Sequence, residues 1–246
     1  MSLQNRETLK NYFRKGTLPS EKSFNDLIDS LINRVDDGMS KTMDDGLMLA
    51  PMGDSEKLLS FYKSIEEKSP AWSFGIDRGD AKLNIKNRMG EQTMTLTQAG
   101  RVGVNNEDPK SELDVNGVIT QRGRSGSAHT GWVPGNGEWH TIIDGLNGCH
   151  ALEIVAGIGK KKTGKYALMV ANALSTYGKS NSSIKIMHAY YGSRANRILL
   201  RWRGDTYNHR LELKTRANYG DGFGVQFHVS ALWHDTLMDG SFQPKE

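Results

Sequence analysis

The stretch Gly100–Ile119 reads GRVGVNNEDPKSELDVNGVI and sets the terms for the whole chain. It holds three very short apolar runs between strong turn signals. Val102 and Val104 alternate around Gly103, after which Asn105-Asn106 and Asp108-Pro109 stop the strand, because Pro lacks a donor and Asn and Asp favour turns. Leu113 and Val115 flank Asp114, and Asn116-Gly117 offers both positive-φ positions of a type I′ hairpin turn before Val118-Ile119. Strands this short present almost no apolar face from one chain, and an isolated hairpin is marginal in water. The segment calls for partners, most simply further copies of itself.

The order Gly100-x-Val102-Gly103-Val104, then Pro109, then Leu113-Asp114-Val115-x-Gly117-x-Ile119 resembles a repeat of phage tail fibres and related bacterial adhesin-like proteins, phage-derived contractile injection systems included. The match is close over this stretch and loose over 70–120. Asn105-Asn106 stands where a Gly-Thr pair is commoner, with little change in turn chemistry. The resemblance implies a homotrimer in which each chain lends strands to a shared prism. The alternative at this point is an ordinary β-meander in a monomer.

Composition agrees with a turn-rich chain. Of 246 residues 37% are hydrophobic and 27 are glycine, which suits several small modules rather than one deep core. No run of about 18 apolar residues is present, so no membrane insertion is expected. The opening MSLQNRETLKNYFRKG lacks the apolar centre of a secretory signal. Synthesis in the cytoplasm is therefore expected, with release by lysis or as part of a particle that acts outside the cell. Cys149 is the single cysteine, which excludes an intrachain disulfide and a CxxC metal site; a buried small hydrophobe is its expected state. Charge is uneven. Residues 121–246 carry 16 Lys+Arg against 9 Asp+Glu, a net of +7, whereas residues 1–120 carry 16 against 19, or −3. The C-terminal half is thus the one suited to an anionic partner such as a cell-surface polysaccharide.

Upstream of the opening stretch, residues 1–37 read as two helices. Leu9, Tyr12 and Phe13 share a face, Gly16 supplies a C-cap, and Ser20 an N-cap. Phe24, Leu27, Ile28, Leu31, Ile32 and Val35 then follow the i, i+3, i+4, i+7 spacing of an amphipathic helix over four turns. That stripe predicts an assembly surface, as do Val102, Val104, Leu113 and Val115. Residues 38–71 read as a connector. Residues 72–120 read as a shaft of short alternating strands, such as Trp72-Ser-Phe74-Gly-Ile76, Leu83-Asn-Ile85 and Met94-Thr-Leu96.

Residues 121–128 read as a small, basic, flexible linker, and 129–246 as a C-terminal head. Its strand candidates are Glu138–Ile143, Ala151–Val155, Tyr166–Ala171, Ser183–His188, Ile198–Arg203, Leu211–Arg216 and Val225–Leu232. Leu200 and Trp202 alternate with charged neighbours, as one-side-solvated antiparallel strands require. The predicted class is mainly β with N-terminal helices: a short-stranded, oligomeric β-prism-like shaft followed by an antiparallel β-sandwich or jelly-roll-like head.

The motifs that suggest chemistry fail on their context. Gly159-Lys-Lys-Lys-Thr-Gly164-Lys165 lacks the Ser/Thr after its lysine and is followed by a strand pattern, not a helix; it reads as a basic hairpin tip. Arg78-Gly79-Asp80 reads as a turn. The seven histidines show no ligand spacing, and no nucleophile elbow or carboxylate pair emerges. No catalytic residue, metal or cofactor is expected. What remains is a recognition surface: Tyr190, Tyr191 and Arg194 in one loop, then Arg201, Trp202, Arg203, Asp205, Tyr207, His209 and Arg210. Aromatic faces stack on sugars, and Arg/Asp pairs fix hydroxyls or carboxylates. The bland reading makes Trp202 core and the arginines a solvated strand face.

Taken with the resemblance, these residues imply a tail-fibre or adhesin-like particle component that is not an enzyme. Its partners would be its own copies, baseplate or other particle subunits at the N-terminal helices, and a cell-surface glycan at the head, with no nucleic acid. The alternative is a structural brace of a baseplate or cap, with no ligand of its own.

Overall fold

The structure, a computed structural model, describes residues 4–31, 37–178 and 181–242; Ile32 and Val35 of the expected helical stripe lie outside the described residues. The chain is mainly β with N-terminal helices, and it divides into two compact units, 1–120 and 121–246.

The first unit begins with α1 (Arg6–Tyr12) and α2 (Glu21–Asp29). Ser20 caps α2 by accepting from the Ser23 N–H, and the Ser23 hydroxyl returns the contact to the Ser20 N–H, which satisfies two otherwise orphaned donors. Tyr12 donates to the buried Asp26 across the helix pair, and Phe13 packs edge-on against Phe24. The α-helix ends at Asp29 rather than running four turns. Ser30 turns its hydroxyl back onto the Asp26 carbonyl at 2.6 Å, and the Leu31 N–H bonds to Ile28, three residues back, a tightening common at helix ends. Phe24, Ile28 and Leu31 are 50–61% exposed and Leu27 half-buried.

Residues 38–71, expected as a connector, contain three strands. β1 (Met39–Thr42) and β2 (Gly46–Leu49) form a separate hairpin, and β3 (Lys57–Phe61) joins a larger sheet. That sheet continues with β4 (Trp72–Ile76), β5 (Leu83–Asn87), β6 (Gln92–Leu96), β7 (Val102–Val104) and β8 (Leu113–Val115), in sequential order. Register brings one apolar side chain per strand into a row: Leu59, Phe74, Ile85, Met94, Val104, Val115. A second row runs Ile76, Leu83, Leu96, Val102, Leu113, and Phe61 and Trp72 extend the same face. None of these thirteen side chains is buried. The opposite face is small and polar. Ser73, Gly75, Asn84, Thr95 and Gly103 are buried there, with Gln92 donating to Asn84 and Thr95.

The hairpin expected at Asn116-Gly117 does not form. β8 instead pairs parallel with β7, Val102 against Leu113 and Val104 against Val115. Asn105 (φ 52°) takes the positive-φ position, and buried Pro109 sits inside the 105–112 loop that carries the chain back. With β8 already committed to β7, Val118 and Ile119 have no strand to pair with and stand exposed. Arg78-Gly79-Asp80 is a turn, its Gly79 and Asp80 N–H groups bonded to the Asp77 carboxylate.

The second unit is a β-sandwich. Its strands are β9 (His129–Pro134), β10 (His140–Leu146), β11 (Cys149–Lys160), β12 (Lys165–Thr176), β13 (Ser183–Tyr191), β14 (Ile198–Gly204), β15 (His209–Thr215) and β16 (Gly224–Ala231). They form a five-stranded sheet, β13-β12-β11-β16-β9, and a three-stranded sheet, β10-β15-β14, antiparallel throughout. Ile154, Met169, Val225 and Val229 of the larger sheet share one core with Ile143, Ile198, Leu211 and Leu213 of the smaller. Cys149 is buried. Tyr219 is fully enclosed and donates to the Asn196 carbonyl, and burial pushes its hydroxyl up to about 12. The Gly159–Lys165 segment closes the β11–β12 hairpin, so a phosphate-binding helix is absent there.

The linker is less free than its composition suggests. Arg124 grips the Glu153 carboxylate at 2.7 and 2.8 Å, Ser125 meets His228 Nδ1, and Ala128 bonds to the Val229 carbonyl. A Cβ on Gly126 would collide with the Val229 backbone, so only glycine lets the segment lie this close.

A basic face on the three-stranded sheet

Strand parity decides which predicted residues meet. On β14 and β15 the side chains of Ile198, Leu200, Leu211 and Leu213 point into the core, so their neighbours Arg201, Arg203, Arg210, Glu212 and Lys214 point out. Arg201 lies directly opposite Glu212, and Arg203 directly opposite Arg210.

Glu212 organises this face. Its carboxylate accepts from Arg201 Nε at 2.7 Å and from Arg210 Nε at 2.9 Å. Burial pulls its pKa upward, but the two arginine hydrogen bonds outweigh that and hold the carboxyl below its usual range. Both arginines spend Nε on Glu212, which leaves their terminal nitrogens to solvent or to a ligand. Trp139, just ahead of β10, underlies the cluster, with the Arg201 guanidinium 4.0 Å and the Lys214 ammonium 4.9 Å from its ring centre. On β14 and β15 three arginines and a lysine therefore share the outer face with a single carboxylate. Like charges directly opposite on neighbouring strands are destabilising; an anion lying across Arg203 and Arg210 would relieve that cost.

Other predicted site residues fall elsewhere. Trp202 and His209 face the core, not solvent, because each lies in step with Leu200 and Leu211. His209 is fully buried, edge-on to His150 and Trp202 at 5.4 and 5.7 Å. Asp205 and Tyr207 belong to the β14–β15 turn. Asp205 accepts from the Tyr207 and Asn208 N–H groups, and exposed Tyr207 packs on Tyr177. Tyr190 and Tyr191 end β13 on the other sheet, Tyr190 under Arg197 and Tyr191 against Tyr166. Arg194 sits exposed in the short helical turn after them. Trp139, Glu212 and Lys214 were not among the predicted residues, although alternation along Leu211–Thr215 sends Glu212 and Lys214 to the side away from Leu211 and Leu213; register then sets Glu212 opposite Arg201 and Lys214 opposite Leu199.

Buried His209 makes acid stability testable. Neither ring nitrogen has a hydrogen-bond partner. Burial, then the nearby His150, pushes its pKa below the ordinary histidine value, with Asp205 opposing. The folded state therefore favours neutral imidazole. That contribution is complete above about pH 6.5 and is lost as pH falls toward the folded-state value. His188 shifts the same way, from burial and then Arg197. His209→Phe is expected to flatten, not abolish, the fall in thermal midpoint between pH 7.5 and 5; an unchanged slope would contradict this assignment.

Among the described residues no group of His, Cys, Asp and Glu is arranged to hold a metal, and no helix is long and apolar enough to cross a membrane. No protein-family model and no curated protein matches the sequence. Solved structures with a detectable likeness include the tailspike protein of Acinetobacter phage vB_ApiP_P1, at 13% identity over 52% of this chain and 26% of that one, with a TM-score of 0.25. The chain thus spans about a quarter of the tailspike's length, and a likeness this faint carries no argument about fold or activity.

Proposed function

We propose that this chain is a fibre-like adhesin component of a phage or phage-derived contractile injection particle. In this reading it assembles as a homotrimer through the six-stranded sheet and is held to baseplate or other particle subunits by its N-terminal helices. The head binds an anionic cell-surface glycan, non-covalently. The observation that carries the reading is the six-stranded sheet: thirteen apolar side chains share one face and none is buried. Leu59, Phe61, Trp72 and Leu113 are 40–59% exposed and the other nine half-buried, and a contiguous apolar face left open to water marks an interaction site. The resemblance of Gly100–Ile119 to tail-fibre repeats supports a trimer, and the basic face supports the ligand class. Three weak sites on one shaft would act together at high effective concentration.

The ligand half is tested by binding of the full chain to sulfated and uronate-bearing polysaccharides, with neutral dextran as control. Each charge-assisted contact contributes about 1.5–3 kcal/mol, so Arg203→Ala combined with Arg210→Gln is expected to weaken acidic-polymer binding at least about tenfold. The salt dependence should also become shallower. Equal binding of the neutral polymer would remove the basic face from recognition. Binding to a baseplate subunit with no polysaccharide binding at all would favour the brace.

A further inference from the structure

The basic face carries its own example of how it holds a carboxylate. One oxygen of Glu212 accepts from Arg201 Nε, directly across the strand pair, and the other from Arg210 Nε, two residues along its own strand. One step closer to the β14–β15 turn the pattern is incomplete. Arg203 and Arg210 face each other directly, and Arg203 makes no ion pair among the described residues. A second carboxylate between those two would continue the alternation of charge: Arg201, Glu212, Arg210, ligand, Arg203.

The groups on this face are fixed before a ligand arrives. The Glu212 side chain is only 8% exposed, and against the pull of burial its two arginine hydrogen bonds keep it ionised, so it anchors the arginines from beneath. The Arg201 guanidinium also lies 4.0 Å from the centre of the half-buried Trp139 ring, which leaves it little freedom to turn. Both arginines stay partly exposed, and with Nε taken the free part of each is its planar Nη1–Nη2 fork. A flat carboxylate with two oxygens matches such a fork in its own plane. A sulfate ester is tetrahedral and, as the conjugate base of a much stronger acid, accepts hydrogen bonds less well, so its attraction follows net charge. We infer that Glu212 and Trp139 are positioning residues that make this face select the carboxylates of uronate-bearing polymers over sulfate esters, an inference that rests on the anionic-glycan reading above.

Charge and position predict opposite signs at Glu212. Glu212→Gln adds a positive charge to an anion-binding face, which on charge alone tightens every polyanion. Its amide, however, has one acceptor oxygen for two arginines and releases one of them. In the full chain Glu212→Gln is expected to weaken polygalacturonate binding about fivefold or more, while dextran sulfate binds as before or more tightly. Trp139→Leu alters no charge and lies outside the core cluster. It should weaken polygalacturonate by about threefold and spare dextran sulfate, and it alone decides if Glu212→Gln does not fold. Glu153→Gln makes the same charge change on the other sheet, where Arg124 holds that carboxylate, and should move neither polymer. Tighter binding of both polymers by Glu212→Gln would overturn the positioning role in favour of charge alone. Equal loss of both polymers would overturn the selectivity and make Glu212 merely structural. Polygalacturonate binding that falls in Arg203→Ala/Arg210→Gln but holds in Glu212→Gln and Trp139→Leu would overturn this inference and leave the anionic-glycan reading standing. No loss in the arginine variant, or no binding of either polymer by the unsubstituted chain, would overturn both.

Discussion

Replacing Ile85 by lysine is expected to reduce the full-length chain from oligomer to monomer in light scattering. Ile85 occupies the middle of the row Leu59, Phe74, Ile85, Met94, Val104, Val115, so any partner covering this face must cover it. Burying an isoleucine contributes about 1.5–3 kcal/mol, and enclosing an unpaired ammonium costs several more. Both terms repeat in every copy, and in a ring the added lysines also face one another. In a monomer the same change falls on a half-buried side chain of a face open to water, from which a lysine stem can carry its ammonium to solvent, at a cost of about 1 kcal/mol to the single chain. The two readings differ by far more than the error of either estimate. Ser60→Lys serves as control: Ser60 lies on an exposed part of the opposite face, opposite Ser73, and should leave the native mass unchanged. An Ile85→Lys chain that keeps its native mass would remove the six-stranded sheet from assembly.

Alternation made most of the strands legible. Trp72-Phe74-Ile76, Leu83-Ile85 and Met94-Leu96 each read as one face, and each became a strand with that face apolar. Seven of the eight sandwich strands follow from the same signal. β9 escaped it because His129–Pro134 has only Trp132 and Val133 as large apolar residues and ends in proline; it is an edge strand, where proline is tolerated. Pairing direction was not legible. Asn116-Gly117 is a strong local hairpin signal, yet β8 is captured by β7 across a loop whose geometry depends on Pro109 and Asn106.

The recognition surface was half legible for a related reason. Closeness in sequence grouped Arg201 through Arg210, while a strand sends successive residues to opposite sides. Trp202 and His209 went to the core, and Arg201, Arg203 and Arg210 stayed outside. Trp139 was out of reach: its position over Arg201 depends on how β10 pairs with β15, and β10 shifts register twice between Thr141 and Leu146.

Two glycines separate the parallel arrangement from the hairpin, and their ranking is the second large effect. Gly103 lies on the buried, small-residue face of β7, and a Cβ there would penetrate the Asn106 carbonyl oxygen. That oxygen is backbone, fixed by the turn that launches the loop back to β8, so it cannot yield as a flexible side-chain tip would. Overpacking against a rigid neighbour costs about 1–3 kcal/mol or more. Gly103→Ala is therefore expected to lower the thermal midpoint of the first unit by on the order of 10 °C, with β8 released first. Gly117 is the opposite case. In a type I′ turn it would require positive φ and resist a side chain. Here it is absent from the positive-φ glycines, and its nearest neighbour would be Val115 Cγ1 at 4.0 Å. Gly117→Ala is then expected to be neutral or to stabilise by up to about 1 kcal/mol, through the unfolded chain. A large loss at Gly117 with little at Gly103 would restore the hairpin and break the β7–β8 pairing. A large loss at Gly103 alone explains why the Val-Gly-Val run carries glycine at its centre: that position faces backbone, and the valines on either side face the apolar surface.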